Sequence, residues 1–324
     1  MSVQRAGNLF SRRDVLKFAA AAGAGMALPF APLFAAGGPV LSRPIARTGE
    51  LLPVVGLGTA IIFDFDSRSD GAKRAERRAV IRTMLDGGGR LIDTAPSYGR
   101  AESTLGDLLP EMGVRERVFL ATKVRATGSR DACTAEMLES LKRLRTGKLD
   151  LMQIHNVGFR DRAETAAQLA LLREWKSGGV CRYIGVTHSQ DQASANARLI
   201  DLMQREKLDF MQVNYSMAER SVEERLLAVA AETGTAVLVN LPFARAGLFG
   251  AVRGKPLPEW AAEFDAASWG QFFLKYLLAN GAVSCVIPGS DKPEYMADNL
   301  DAARGRLPDA AMRRKMVDYI NRLS

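Results

Sequence analysis

The chain reads as an α/β protein whose eight parallel strands close into a (β/α)8 barrel. Three observations predict this. Eight short apolar runs of strand type alternate with helical runs from residue 51 onward. The strand runs are apolar nearly throughout, as expected when helices or side chains cover both faces. No break in composition divides the series, so one closed sheet accommodates it. An open, doubly wound sheet would show the same alternation. Its phosphate-binding fingerprint is weak here, because Gly56-Leu57-Gly58-Thr59 lacks the third glycine and no helix follows directly.

The elements follow in order. Residues 53–59 form the first strand, and a polar loop over 64–70 leads to a helix over 75–85 that stops at Gly87-Gly88-Gly89. Arg90-Leu91-Ile92 is a short β-branched strand, 94–99 a turn-rich loop and 101–109 a helix. The third strand covers 118–124 and its helix 130–145, with Ala135, Leu138, Leu141 and Leu144 at helical spacing. The fourth strand, 149–155, precedes a helix over 162–176 closed by Gly178-Gly179. Strands at 183–187, 210–215, 236–240 and 283–289 complete the eight. Helices at 192–205, 222–231, 271–278 and toward Leu300 accompany them, with an irregular stretch over 242–263 and a terminal amphipathic helix from Pro308.

Composition bounds the function. The chain has 324 residues, of which 47% are hydrophobic and 25% charged, enough for a large core. A net charge of +8 suggests nucleic acid at first, but Lys and Arg are scattered among Asp and Glu, and the densest run, Lys73 to Arg78, is broken by Glu76. No nucleic-acid partner is expected. Cys133, Cys181 and Cys285 are widely separated, with no ligand-spaced histidine nearby, which excludes a disulfide framework and argues against a metal.

The N-terminus differs from the rest. Ser11-Arg12-Arg13-Asp14-Val15-Leu16-Lys17 precedes an uncharged, alanine-rich run over 18–41 that contains Pro29 and Pro32. This resembles a twin-arginine export signal, although Val15 stands where a phenylalanine is common. A membrane anchor is the competing reading, and the alanine, glycine and proline content makes the run a poor one. The expected organisation is therefore a signal segment over 1–38 and one barrel domain over 39–324. The resemblance implies passage through the twin-arginine export machinery in a folded state, only transient contact with a membrane, and a periplasmic or otherwise exported product.

In a parallel barrel, chemistry gathers at the C-terminal ends of the strands. Asp93 ends the second strand with Tyr98 in its loop, Lys123 lies near the end of the third, and His155 ends the fourth. Each alone has a dull explanation: a capping turn, a surface lysine, a satisfied core histidine. Together they place four groups of different proton affinity on three adjacent strand tips, a pattern that suggests proton transfer.

These stretches carry a resemblance to a known family. Gly89-Arg90-Leu91-Ile92-Asp93-Thr94-Ala95-Pro96-Ser97-Tyr98-Gly99 with Glu102 and Leu105-Gly106, then Ala121-Thr122-Lys123-Val124 and Gln153-Ile154-His155-Asn156, are similar to the successive motifs of the aldo/keto reductases. Gln212-Val213-Asn214-Tyr215-Ser216 and Ile287-Pro288-Gly289-Ser290 with Asn299 resemble its cofactor-side motifs. The resemblance implies a TIM barrel that reduces an aldehyde or ketone with NADPH, NADH being the alternative. It implies Tyr98 as general acid, Lys123 as the cation lowering the phenol's pKa, Asp93 as the partner of Lys123, and His155 orienting the carbonyl. It implies Thr187, His188 and Gln212 against the carboxamide, Tyr215 stacked on the nicotinamide, and Gly289, Ser290, Lys292 and Asn299 around the phosphate end. Asp291 beside that phosphate, Tyr295 in place of a frequent arginine, and His188 in place of a frequent asparagine depart from the pattern. Phe63, Phe65, Trp260, Phe264 and Trp269 are candidates to wall a pocket for a small-molecule carbonyl substrate. A second class of function also fits the resemblance: a redox-sensing or regulatory subunit that binds nucleotide with little turnover, since an exported enzyme has no obvious supply of reduced nicotinamide.

Overall fold

The computed structural model describes residues 38–125 and 127–323; the leader expected over 1–38 lies outside the described residues apart from Gly38. The chain enters through an antiparallel hairpin, β1 (Ser42–Pro44) and β2 (Leu51–Pro53), that the sequence did not announce. Eight parallel strands follow in sequence order around one sheet: β3 (Leu57–Gly58), β4 (Leu91–Asp93), β5 (Phe119–Val124), β6 (Leu149–Ile154), β7 (Cys181–Thr187), β8 (Phe210–Asn214), β9 (Ala236–Asn240) and β10 (Val283–Val286). The first barrel strand is shorter than the expected 53–59: Pro53 belongs to the hairpin, and residues 54–56 connect it to β3 with only an isolated bridge at Val55. Bridges Val55↔Val286 and Gly58↔Gly289 join the first strand to the last, with Gly58 N–H donating to Pro288 O at 3.0 Å. The barrel is closed, and the open-sheet alternative falls.

Closure explains two glycines. A Cβ on Gly56 would lie 2.8 Å from Leu91 O, and one on Gly58 2.7 Å from Ile287 O. Both serve close strand approach rather than phosphate binding.

Strand alternation sorts the apolar side chains into two cores. One fills the barrel: Leu91, Phe119, Ala121, Leu151, Tyr183, Phe210, Ala236, Leu238, Cys285 and Ile287, floored by Ile45 and Leu52 of the hairpin. The other lies between strands and helices. At the hairpin end, Glu50 pairs with Arg90 and Arg182 and accepts from Tyr183 Oη at 2.6 Å, fixing the plug. The outer helices are α1 (Gly71–Asp86), α2 (Ala101–Glu111), α3 (Arg130–Leu144), α4 (Arg162–Ser177), α5 (Gln192–Arg205), α6 (Leu226–Thr233), α7 (Gly247–Ala251), α8 (Trp269–Leu278), α9 (Pro293–Asp301) and α10 (Ala310–Leu323). Side chains of Asp70, Asp161 and Ser268 cap α1, α4 and α8. The stretch read as irregular over 242–263 contains α7.

Candidate active site

The period of two along a strand decides what faces the barrel axis. Leu91, Phe119, Ala121 and Leu151 point inward, so Asp93, Lys123 and Gln153, each two residues farther on, point inward one layer higher. The register pairs Lys123 with Gln153. Lys123 Nζ donates to Asp93 Oδ2 at 2.6 Å and to Thr94 O at 2.8 Å, all three groups buried. The ammonium stands 4.9 Å from the Tyr98 ring centre, and the His155 ring meets that ring edge-on at 6.1 Å. The four groups expected from separate strand tips share one place.

The loop carrying Tyr98 is held from outside. Thr94 N–H donates to Ala121 O at 2.9 Å, and Arg100 N–H to Asp64 Oδ1 at 2.9 Å. Gly99 has φ +56°, and a Cβ there would strike the Asp64 carboxylate, so only glycine lets the loop after β3 lock onto the Tyr98 loop.

Environment sets the protonation states. Burial raises the Tyr98 pKa above its ordinary value and outweighs the opposing pull of Lys123, so the expected lowering does not prevail. Burial also works against the Lys123 ammonium, yet Asp93 and Tyr98 keep its pKa above the usual lysine value. Burial, reinforced by Lys123, Arg160 and Arg125, lowers His155 to about 3. At neutral pH the site therefore presents a protonated phenol, an ammonium and a neutral imidazole.

A cavity of about 990 Å³ opens over these residues. Asp93, Tyr98 and His155 line it, as do Gln212, Gly289 and Asn299. Five other expected cofactor contacts lie off its wall. Thr187 spends its hydroxyl on Asn156 N–H at 3.1 Å. His188 is 1% exposed, wedged against Gly158, whose N–H it accepts through Nδ1 at 3.2 Å. Ser290 is buried and accepts from Asn299 Nδ2 at 2.9 Å. Lys292 lies over the Tyr295 ring at 5.6 Å. Tyr215 is wholly buried and donates to Glu223, while Arg313 Nη2 donates to its hydroxyl at 2.7 Å, which corrects the stacking expectation. Of the aromatic candidates only Trp269 reaches the cavity; Phe63, Phe65 and Phe264 are buried in the packing, and Trp260 packs on Tyr319.

Asn156, Ser189, Asn240 and Arg245 line the cavity without having been anticipated. Asn156 Oδ1 accepts from both Ser189 N and Ser189 Oγ at 3.0 Å, which ties these two lining residues together. Gln153 was overlooked although alternation with His155 marks it as inward: its Nε2 donates to Asp93 Oδ1 at 3.4 Å and Gln212 Oε1 at 3.3 Å. Nothing in the sequence signals Arg245, which lies on a loop with left-handed backbone at Leu241, Ala244, Arg245 and Ala246. Among the described residues no group of three or more His, Cys, Asp or Glu is placed to hold a metal ion.

The chain is similar to several known proteins. The chain is 31% identical over 232 residues to the aldo-keto reductase YhdN of Bacillus subtilis, covering 68% of this chain and 66% of that protein. It is 34% identical over 213 residues to the methylglyoxal reductase YeaE of Escherichia coli, covering 63% and 69%. An aldo/keto reductase from Klebsiella pneumoniae, crystallised with NADP and acetate, shares the fold with a TM-score of 0.66 at 23% identity over 84% of this chain and 93% of that one. Residues 9–29 match the twin-arginine translocation signal sequence, which suggests export. Residues 54–316 match the Aldo/keto reductase family, and the chain belongs to it.

Proposed function

We propose that this NAD(P)H-dependent oxidoreductase reduces an aldehyde or ketone to the alcohol with Tyr98 as the general acid. The observation that carries the assignment is the buried Asp93–Lys123–Tyr98–His155 cluster at the floor of one cavity. The cavity fits a nicotinamide nucleotide. It is large, its wall carries the amides of Asn156, Gln212 and Asn240, and Asn240 Oδ1 is buried there without a hydrogen-bond partner among the described residues. Asn156, Ser189 and Gln212 would hold the carboxamide, Arg245 the phosphate charge, and Gly289 and Asn299 the far end. NADPH is the cofactor proposed first, with NADH as the alternative; relatives solved with NADP and NADPH support that choice.

When bound, the nucleotide supplies the hydride. The protein's part is proton management. A phenol whose pKa is raised stays protonated through neutral pH, and its proton passes to the carbonyl oxygen as negative charge builds there. The phenolate left behind faces the Lys123 ammonium, which Asp93 fixes, and one proton from solvent then restores the phenol. Neutral His155 donates a hydrogen bond to the same oxygen and orients it. We also assign residues 1–38 to a signal segment, 39–324 to the barrel domain, and the mature protein to the periplasm.

The test is aldehyde-dependent oxidation of NADPH by the purified protein, preceded by fluorescence titration with NADPH and NADH. Nucleotide binding with no turnover on any aldehyde would favour the regulatory reading. Export is tested separately: replacing Arg12 and Arg13 by lysine should leave the protein in the cytoplasm.

A further inference from the structure

The barrel interior changes character within one step of the pleat. On the strands that carry Asp93, Lys123, Gln153 and Gln212, the preceding inward residues are Leu91, Ala121, Leu151 and Phe210, all apolar. Asp93 and Lys123 account for each other as an ion pair. Gln153 has no such account. It is wholly buried, and its Oε1 has no hydrogen-bond partner among the described residues. A buried amide with an orphaned acceptor costs stability that an apolar side chain of similar size would not.

The other end of the same amide is directional. Gln153 Nε2 donates to Asp93 Oδ1 at 3.4 Å and to Gln212 Oε1 at 3.3 Å. Asp93 accepts from the Lys123 ammonium through Oδ2, and a carboxylate in such a pair has only acceptor capacity to offer. Gln153 must therefore turn its NH2 to that side, and the second hydrogen on that nitrogen calls for an oxygen from Gln212. The contact crosses β7, which lies between β6 and β8. There the register partner of Gln153 is Gly185, at the inward position after Tyr183, so no side chain stands between the two amides. With its oxygen committed to Gln153, Gln212 has its NH2 left for the cavity that it lines.

We propose that Gln153 is a positioning residue: it sets the Gln212 amide from the Asp93 carboxylate, so that Gln212 meets the nucleotide as a hydrogen-bond donor. The inference rests on the reading in which Gln212 holds the carboxamide, and extends it to a side chain that need touch neither nucleotide nor substrate. A carboxamide oxygen then finds its donor already oriented. Without Gln153 the Gln212 amide can present either end, and binding has to order it.

The experiment is calorimetric titration with NADPH or NADH, whichever binds tighter, and with the same nucleotide lacking the nicotinamide ring, 2′-phospho-ADP-ribose or ADP-ribose. The proteins are wild type, Gln153→Met, Gln212→Met and the double variant, with Gln153→Leu as a second apolar replacement. Gln153→Met is expected to weaken the complete nucleotide about fivefold and to leave the ring-less one unchanged, because only the former carries a carboxamide. In the Gln212→Met background the same substitution should have no further effect, as for two residues that act as a unit. Four results overturn the inference and leave carbonyl reduction intact: unchanged affinity for the complete nucleotide in Gln153→Met, equal weakening of both ligands, a loss that persists without the Gln212 amide, or failure of both Gln153→Met and Gln153→Leu to fold. Wild-type protein that binds the complete nucleotide no more tightly than the ring-less one overturns the Gln212 contact as well, and wild type that binds neither overturns the proposed function.

Discussion

The two ends of the cavity were not equally legible. At the chemistry end, Asp93, Lys123 and His155 come from strand tips, and all four expected groups converge. At the cofactor end, Thr187, His188, Tyr215, Ser290 and Lys292 were expected on the wall and stand off it. Strand geometry makes the difference. A residue inside or just past a strand inherits its direction from the pleat, so knowing that Leu91 and Ala121 face inward places Asp93 and Lys123. The same alternation turns Tyr215 away: Phe210 and Gln212 of β8 face inward, and Tyr215, of opposite parity just past the strand, joins the outer core. Ser290 and Lys292 lie four and six positions beyond β10, where local contacts decide the direction.

If the chemistry end works as proposed, the largest effect belongs to Tyr98→Phe. Removing the proton donor should reduce kcat for aldehyde reduction by about 10²–10⁴-fold while nucleotide affinity by fluorescence stays nearly unchanged. Retained turnover would mean that convergence of the four groups is structural only.

Lys123→Met comes next. Lys123 is 1% exposed and Asp93 2%, so the substitution strands a buried carboxylate. The expected loss of stability is about 3–5 kcal/mol by urea unfolding, with Asp93→Asn in the same chain recovering part of it. A small loss would show that water reaches the pair and that the cavity floor is wetter than its burial implies.

The third effect is a pH dependence. The folded chain holds His155 at about 3, below the ordinary histidine value of 6.5. As pH falls below 6.5 the unfolded chain takes up a proton first, so stability is present above that pH and is lost progressively toward 3. By about pH 4.5 this one group should cost about 2–3 kcal/mol relative to neutral pH. Burial lowers His188 as well, with the same sign. His155→Gln should flatten the denaturation midpoint against pH between 6.5 and 4.5; a slope equal to wild type would place the cause elsewhere.

The fold itself was readable because alternation of strands and helices is repeated eight times, and a repeated signal survives local error. What escaped was local. The hairpin plug consists of two three-residue strands whose pattern, Ser-Arg-Pro and Leu-Leu-Pro, carries no period. The left-handed backbone of Ile61, φ +69°, contradicts the propensity of its residue, so no propensity argument finds it. Gln153 was findable, lying two positions before His155 on the same inward face, and was missed because an amide has no proton chemistry to draw attention.

The smallest effect separates the two accounts of Tyr215. A ring stacked on the nicotinamide would keep its function as phenylalanine, and the stability of Tyr215→Phe would match wild type. The structure instead gives the hydroxyl two charged neighbours: it donates to Glu223 and accepts from Arg313 of α10, and Tyr276 Oη also donates to Glu223 at 2.8 Å. Arg313 in turn reaches Glu223 at 2.7 Å, so the phenol helps to tie the last helix to the barrel. Tyr215→Phe should therefore lower stability by about 1–3 kcal/mol, as expected for a buried hydrogen bond to charged groups, and leave nucleotide affinity as it was. Stability equal to wild type in Tyr215→Phe would mean that the hydroxyl ties nothing down and would return Tyr215 to the cavity wall, and with it the idea that the cofactor end can be placed from sequence as well as the chemistry end.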